Sequence, residues 1–112
     1  MKIFHNPRCA KSRETLALIT EHKIEPEIFL YLESKLTQKY LKEVISMLGI
    51  TPFDLIRRSE KIFKESFKGK DLSDKDWIKA MVENPKLIER PIVIKDKKAV
   101  LGRPPSNVLN LI

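Results

Sequence analysis

The sequence predicts an α/β fold with one four-stranded mixed sheet and helices on its faces. Three features of the hydrophobic pattern lead to this prediction: a strand–helix–strand opening, a helical middle, and a strand hairpin followed by a short helix. We expect a parallel crossover between the first two strands, because a helix links them. With 112 residues, the chain fits a single domain over 1–112, with a helical insertion at about 35–88.

The opening third of the chain carries the first two predicted strands. Lys2 to His5 predict a short strand that Asn6-Pro7 ends. An amphipathic helix is predicted over about Ser12–Lys23, and Glu25-Pro26 stops it. Glu27–Tyr31 then predicts a second strand that is apolar enough to be buried on both faces of a sheet.

The middle of the chain is predicted to be mostly helical. Thr37 is the predicted N-cap of a helix that runs to about Leu48, where Gly49 ends it. Further helices are predicted at about Pro52–Arg57, at Lys61–Phe67 and, capped by Ser73, through Glu83.

The C-terminal third changes to the period of a strand. Ile92–Lys95 and Lys98–Leu101 predict two strands, and Asp96-Lys97 predicts the tight turn of a hairpin between them. Residues 102–105 form a predicted turn, and Ser106–Leu111 a final short helix. The expected order is therefore β-α-β, helices, β-β-α.

Composition limits the partners and the location of the protein. The formal net charge of +7 favours an anionic partner, but the 7% aromatic content gives no pattern typical of nucleic-acid binding. We expect no membrane association, because no apolar run is long enough to span a bilayer. Residues 1–5 show no start of a signal peptide, so we expect a cytoplasmic location, and nothing calls for more than a monomer.

Cys9 is the strongest candidate for a catalytic residue. It is the only cysteine, so no internal disulfide can form, and a lone thiol is more often a packing residue. Its place between the first strand and the first helix argues for catalysis, because unpaired N–H groups and the helix dipole favour negative charge there. Arg8, Lys11 and Arg13 add positive charge. Such a setting lowers a cysteine pKa from about 8.5 to roughly 3.5–7.5, which predicts a thiolate nucleophile.

Three neighbours bear on this thiol. His5 could help to hold the thiolate, or could simply bond to backbone at the strand end. Ser12 stands where a C-x-x-C motif has its second cysteine, so it can cap the helix or donate to sulfur but cannot resolve a disulfide. An outside thiol must therefore clear any adduct at Cys9. Pro91 opens the third strand and is a candidate for a cis peptide bond, although sequence alone favours trans.

These residues together resemble the glutaredoxin-dependent arsenate reductase family, which has a thioredoxin-like fold. The stretch from His5 to Arg13, H-N-P-R-C-A-K-S-R, resembles that family's H-N-P-x-C-x-x-S-R signature. The resemblance covers nearly the whole chain. Its other matching pieces are Tyr31-Leu32-Glu33, Leu55-Ile56-Arg57-Arg58, Glu89-Arg90-Pro91-Ile92-Val93 and Gly102-Arg103-Pro104. Typical members of the family extend further beyond the final helix.

The resemblance implies a reaction and a set of site residues. The Cys9 thiolate would attack the arsenic of arsenate or the centre of a similar oxyanion, glutathione would attack the arsenylated cysteine, and glutaredoxin would complete reduction to arsenite. It implies no metal and no tightly bound cofactor. Three arginines would bind the oxyanion: Arg57 (or its neighbour Arg58), Arg90 and Arg103. Supporting residues would be His5, Asn6, Ser12, Arg13 and Pro91.

Two other functions fit parts of the pattern. A glutathione-dependent thiol reductase acting on a mixed disulfide would need Cys9 but not all three arginines. The family also resembles a transcriptional regulator that binds RNA polymerase and senses redox state through a C-x-x-C pair. Ser12 removes that pair here, which disfavours the regulator.

Overall fold

The computed structural model describes residues 1–112 and contains a four-stranded sheet in the order β2-β1-β3-β4. β1 (Lys2–Phe4) pairs in parallel with β2 (Glu27–Phe29) and antiparallel with β3 (Ile92–Lys95). β3 pairs antiparallel with β4 (Lys98–Leu101). The predicted mixed sheet is confirmed, with both strands of the hairpin at the predicted residues.

The helices follow the predicted order, with shifted ends. Four are α-helices: α1 (Ala10–Glu21), α2 (Gln38–Leu48), α3 (Lys61–Ser66) and α4 (Asp74–Glu83). Three short 3-10 helices span Pro52–Leu55, Pro85–Leu87 and Pro105–Asn110. The last of these was predicted as an ordinary short helix, and the one at Pro85–Leu87 was not predicted. None of the helices has the length and apolar character that crossing a membrane requires.

β2 corrects one prediction, since this strand is not buried on both faces. It lies at the edge of the sheet, where only β1 pairs with it, and it ends at Phe29 rather than Tyr31. The Ile28 side chain is 50% exposed. Glu27 is on the surface and forms an ion pair of 3.3 Å with Lys2 of the neighbouring strand. An apolar run at a sheet edge has fewer neighbours to cover it than the same run in the centre.

The chain divides into two compact units. The first comprises Met1–Lys35 and Arg90–Ile112 and contains the whole sheet with α1. Here α1 packs against the final 3-10 helix. The core of this unit is a cluster of buried aliphatic side chains from β1, α1, β3 and the C-terminal segment: Ile3, Ile19, Val93, Val108 and Leu111.

The second unit comprises Leu36–Glu89 and carries α2, α3 and α4. Thr37 caps α2 by accepting a hydrogen bond from the Tyr40 N–H at 3.1 Å, and Gly49 ends it at φ 71°, both as predicted. Ser73 caps α4 in the same way. Trp77 of α4 contacts a group of aromatic rings around it: Phe53, Phe63 and Phe67.

Candidate active site

Cys9 occupies the N-cap position of α1, directly after the loop that follows β1. Its backbone is extended, with φ −95° and ψ 123°, and its carbonyl accepts the first helical hydrogen bond from the Arg13 N–H at 3.0 Å. Its own N–H donates to the Asn6 carbonyl at 3.0 Å, which closes the loop. The helix was predicted to begin near Ser12; it begins at Ala10, so that the thiol sits at the helix terminus itself. The thiol is free and half-buried.

The environment of the Cys9 sulfur favours the thiolate. Partial burial acts to raise the pKa of the thiol, but the backbone N–H of Ser12, the Arg90 side chain and the backbone N–H of Lys11 outweigh it. The net result is a pKa below the ordinary value of a cysteine. Lys11 and Ser12 lie in the first turn of α1, where N–H groups have no partner within the helix. The cap geometry and one arginine thus favour the thiolate form of Cys9, which is the nucleophilic form of a cysteine.

Titration of Cys9 provides a direct check of this environment. We expect the rate of alkylation by iodoacetamide to rise with pH through a midpoint clearly below about 8.5, the value of a free cysteine thiol. Because Cys9 is the only cysteine, the labelled product is unambiguous. N-acetylcysteine in the same buffers is the reference. A midpoint equal to that of the reference would make Cys9 a packing residue.

A buried polar network lies beneath the Cys9 loop. The Ser12 hydroxyl lies 2.6 Å from the His5 Nδ1 atom and accepts a hydrogen bond from the Asn6 N–H at 3.0 Å. His5 and Asn6 are 7% and 8% exposed, and Ser12 is fully buried. Burial lowers the pKa of His5, and the nearby charge of Arg13 lowers it further. The Ser12 hydroxyl and His5 Nδ1 thus share a hydrogen bond beneath the loop, while the Ser12 backbone N–H helps to lower the pKa of Cys9.

The lowered pKa of His5 predicts a pH-dependent stability. Because folding lowers this pKa below its ordinary value of 6.5, the unfolded chain binds more protons than the folded chain as the pH falls through this range. The contribution of neutral His5 to the stability of the fold is therefore fully present above pH 6.5. This contribution is lost as the pH falls through the folded-state pKa of His5.

We expect the free energy of unfolding, measured by urea denaturation, to drop between pH 7.5 and pH 5 by more in the wild type than in His5→Asn. The variant His22→Asn, which removes an exposed histidine, should keep the wild-type drop. An equal drop in wild type and His5→Asn would show that His5 does not contribute.

Two arginines extend the site from the ends of β3 and β4. Arg90 lies two residues before the start of β3, and its side chain is one of the groups that lower the pKa of Cys9. Arg103 follows β4 and donates from Nη1 to the Arg90 carbonyl at 3.1 Å. Cys9, Arg90 and Arg103 are thus linked in one chain of contacts. Both arginines precede cis prolines, at Arg90–Pro91, where sequence alone favoured trans, and at Arg103–Pro104.

Gly102 holds the segment before Arg103 against the segment after Arg90. Its N–H donates to the Pro91 carbonyl at 2.9 Å, and its carbonyl lies 3.4 Å from the Thr15 hydroxyl of α1. A Cβ atom at this position would lie 2.5 Å from Thr15 Oγ1 and 2.8 Å from Pro91 Cγ. Only a residue without a side chain allows this close approach. The sequence indicated Gly102 as a turn residue and gave no signal for the role in packing.

Replacing Gly102 by alanine should therefore destabilise the first unit. We expect Gly102→Ala to lower the free energy of unfolding by about 1–3 kcal/mol, the usual cost of overpacking a filled core. Thr15→Ala removes two of the three atoms that the new methyl group would meet. In a double-mutant cycle, the double variant should consequently lose less free energy of unfolding than the two single variants lose together. Strict additivity in urea denaturation would contradict the close contact.

Arg57, predicted to bind the oxyanion, belongs to the second unit and is paired with two carboxylates. Its Nη1 atom lies 2.9 Å from Glu89 Oε1 and its Nε atom 3.6 Å from Glu60 Oε2. An isolated bridge between Ile56 and Ile88 brings Glu89 to this position. Neither partner was predicted from the sequence; the i+3 spacing of Glu60 is a signal that could have found one of them, whereas a pairing across 32 residues has no such signal. The alternative, Arg58, is exposed, with its guanidinium 4.2 Å from the centre of the Phe53 ring.

The remaining predicted residues have structural contacts of their own. Arg13 donates from Nη1 to the Pro7 carbonyl at 2.9 Å, which fixes the loop before Cys9. The Asn6 side chain accepts from the Arg8 N–H at 3.0 Å. No group of three or more His, Cys, Asp or Glu side chains is placed to hold a metal ion.

Comparison with known proteins identifies relatives along the whole chain. A model of the ArsC family matches residues 4–111. The chain is 42% identical over 112 residues to an arsenate reductase from Haemophilus influenzae, covering 98% of this chain and 97% of that protein. It is 46% identical over 114 residues to the uncharacterised protein YfgD of Escherichia coli, covering 100% and 96%. A solved arsenate reductase from Vibrio cholerae superposes with a TM-score of 0.95 at 43% identity, covering 99% and 96%. These matches confirm the predicted thioredoxin-like fold.

Proposed function

The chain belongs to the ArsC family, and from this membership we propose that it reduces arsenate to arsenite through the thiolate of Cys9. The observation that carries the proposal is the set of donors around the Cys9 sulfur. The N–H groups of Ser12 and Lys11 at the start of α1, together with the Arg90 side chain, lower the pKa of the Cys9 thiol. Donors that stabilise a thiolate can also hold the oxygens of a tetrahedral oxyanion placed against the sulfur.

The first step is attack of the thiolate on arsenic. A sulfur–arsenic bond forms, and one hydroxyl group of arsenate takes up a proton and leaves as water as its arsenic–oxygen bond breaks. Arg90 and Arg103 stabilise the negative charge on the remaining oxygens, since the planar guanidinium suits an oxyanion better than an ammonium group does. The hydrogen bond from Arg103 Nη1 to the Arg90 carbonyl holds the Arg103 side chain against the backbone of Arg90.

The reducing steps need thiols from outside the chain. Cys9 is its only cysteine, so no internal disulfide can form. We propose that glutathione attacks the arsenylated Cys9 and that glutaredoxin completes the reduction. Over one cycle, arsenate and two thiols give arsenite, one disulfide and one water. No metal or tightly bound cofactor enters the scheme.

Arg57 belongs to the second unit, and its guanidinium is paired with Glu60 and Glu89. We therefore assign the oxyanion-binding role to Arg90 and Arg103.

An assay with varied electron donors tests the proposed function. The purified chain is incubated with arsenate and with glutathione alone, glutaredoxin alone, or both, and the release of arsenite is followed. We expect turnover with both donors and a large decrease when either is omitted. Arsenite release no higher than in the protein-free reaction, with Cys9 still reactive to iodoacetamide, would overturn the proposal in favour of a thiol reductase with another substrate.

A further inference from the structure

A small cleft lies beside the Cys9 loop and is not used by the mechanism above. Its volume is about 240 Å³. One wall is the loop that precedes Cys9, and the other is the segment that follows β2, so the cleft belongs wholly to the first unit. It is lined by His5, Asn6, Pro7 and Arg8 on the first side and by Leu30, Leu32 and Glu33 on the second.

The cleft carries one free charge of each sign. Arg8 and Glu33 are both exposed, and the charged group of neither makes an ion pair or a hydrogen bond. The lining also includes Leu32, which is 39% exposed. The other arginine of the loop, Arg13, is committed to the Pro7 carbonyl. Arg8 is therefore the guanidinium of this loop that is available to a ligand.

The position of the cleft connects it to the nucleophile. Arg8 and Cys9 are consecutive residues, so their Cα atoms lie about 3.8 Å apart. Asn6 fixes both of them, since its side chain accepts from the Arg8 N–H and its carbonyl accepts from the Cys9 N–H, each at 3.0 Å. The cleft therefore adjoins the residue that carries the nucleophile.

We propose that this cleft binds the thiol that attacks the Cys9 adduct, and that it selects a zwitterionic, amino-acid-like thiol. The ligand carboxylate pairs with Arg8, its ammonium group pairs with Glu33, and its carbon chain covers Leu32. The proposal rests on the proposed function only in that Cys9 requires an outside thiol. At about 240 Å³, the cleft accommodates one or two residues of such a thiol.

A disulfide exchange reaction without arsenate tests this directly. Cys9 is first converted to its mixed disulfide with 2-thiopyridine, a neutral leaving group. An added thiolate attacks the Cys9 sulfur, the old sulfur–sulfur bond breaks, a new one forms, and pyridine-2-thione is released and measured by its absorbance. One added thiol is glutathione, which carries two carboxylates and one ammonium group. The other is 2-mercaptoethanol, which carries neither kind of group.

We expect the glutathione rate to saturate with concentration, and the 2-mercaptoethanol rate to rise linearly. Arg8→Gln and Glu33→Gln should each lower the second-order rate constant for glutathione about threefold to fivefold, as loss of an exposed ion pair allows. In both variants, the rate constant for 2-mercaptoethanol, which has no carboxylate or ammonium group, should fall less than the rate constant for glutathione. Glu25→Gln and Lys35→Gln remove exposed charges outside the cleft and should leave both rates at the wild-type values.

Two outcomes would overturn the proposal. Equal slowing with both thiols would mean that Arg8 and Glu33 act on the Cys9 sulfur rather than on the ligand. If both variants react with glutathione at the rate of the wild-type protein, the cleft does not bind the thiol. Because the assay contains no arsenate, either outcome is separate from a failure of the proposed arsenate reduction.

Discussion

Replacing Cys9 by serine is expected to reduce arsenate turnover to the level of the protein-free reaction. A serine hydroxyl at this position stays protonated at neutral pH, because it is a far weaker acid than a thiol, and no sulfur–arsenic bond can form. The measurement is arsenite release with glutathione and glutaredoxin, using equal concentrations of the wild type and Cys9→Ser.

The same substitution provides its own structural control. Cys9 occupies the N-cap of α1, and serine is among the preferred N-cap residues. Cys9→Ser should therefore be at least as stable to urea as the wild type, so that loss of turnover cannot come from unfolding. Residual turnover above the protein-free rate in a stable Cys9→Ser variant would show that another group is the nucleophile.

The second large effect is expected at Arg90. Arg90→Ala should lower kcat/KM for arsenate about 10²–10³-fold, the usual cost of removing one donor that stabilises an oxyanion. It should also move the midpoint of Cys9 alkylation to higher pH, because the Arg90 side chain is one of the groups that lower the pKa of Cys9. Arg90→Lys should recover part of the shift in pKa but less of the turnover, since an ammonium group cannot form two parallel hydrogen bonds.

A comparison of substrates separates the two roles of Arg90. With a mixed disulfide as substrate and the pH held well above both midpoints, Arg90→Ala should lose little activity, while arsenate reduction stays low. Lys95→Ala, at the other end of β3 and exposed, is the control and should behave as the wild type in both reactions. Equal losses with both substrates would show that Arg90 acts only on the thiol, and would favour a thiol reductase.

Local sequence signals predicted most of the fold. The capping residues Thr37 and Ser73, the turn at Asp96 and the alternation in the C-terminal hairpin all depend on neighbours within a few residues. The prediction that β2 is buried on both faces was wrong for a different reason. Whether the run at Glu27–Phe29 lies in the centre or at the edge of the sheet depends on the order of all four strands, which a local pattern does not contain.

The candidate site also combines features that the local sequence predicts with contacts that it does not predict. The helix terminus around Cys9 was predictable, because the loop and the helix are contiguous in sequence. The contact of Arg103 with the Arg90 carbonyl and the packing of Gly102 on Thr15 and Pro91 join segments far apart in the chain. The carboxylate partners of Arg57 depend on the bridge between Ile56 and Ile88 in the same way. Spacing identified these arginines as candidates but could not give their partners.

The N-cap position of Cys9 also makes the first turn of α1 a reporter of the chemical state of the sulfur. The N–H groups of Lys11 and Ser12 lower the pKa of Cys9, so they interact more strongly with the thiolate than with a neutral sulfur. A neutral alkyl group on the sulfur removes that charge, and these two protons should then exchange faster with solvent deuterium, while the amide of Ile19, deep in the same helix, keeps its protection. The occupancy of Cys9 can thus be followed from the protein backbone, without a substrate, a coloured label or a turnover assay.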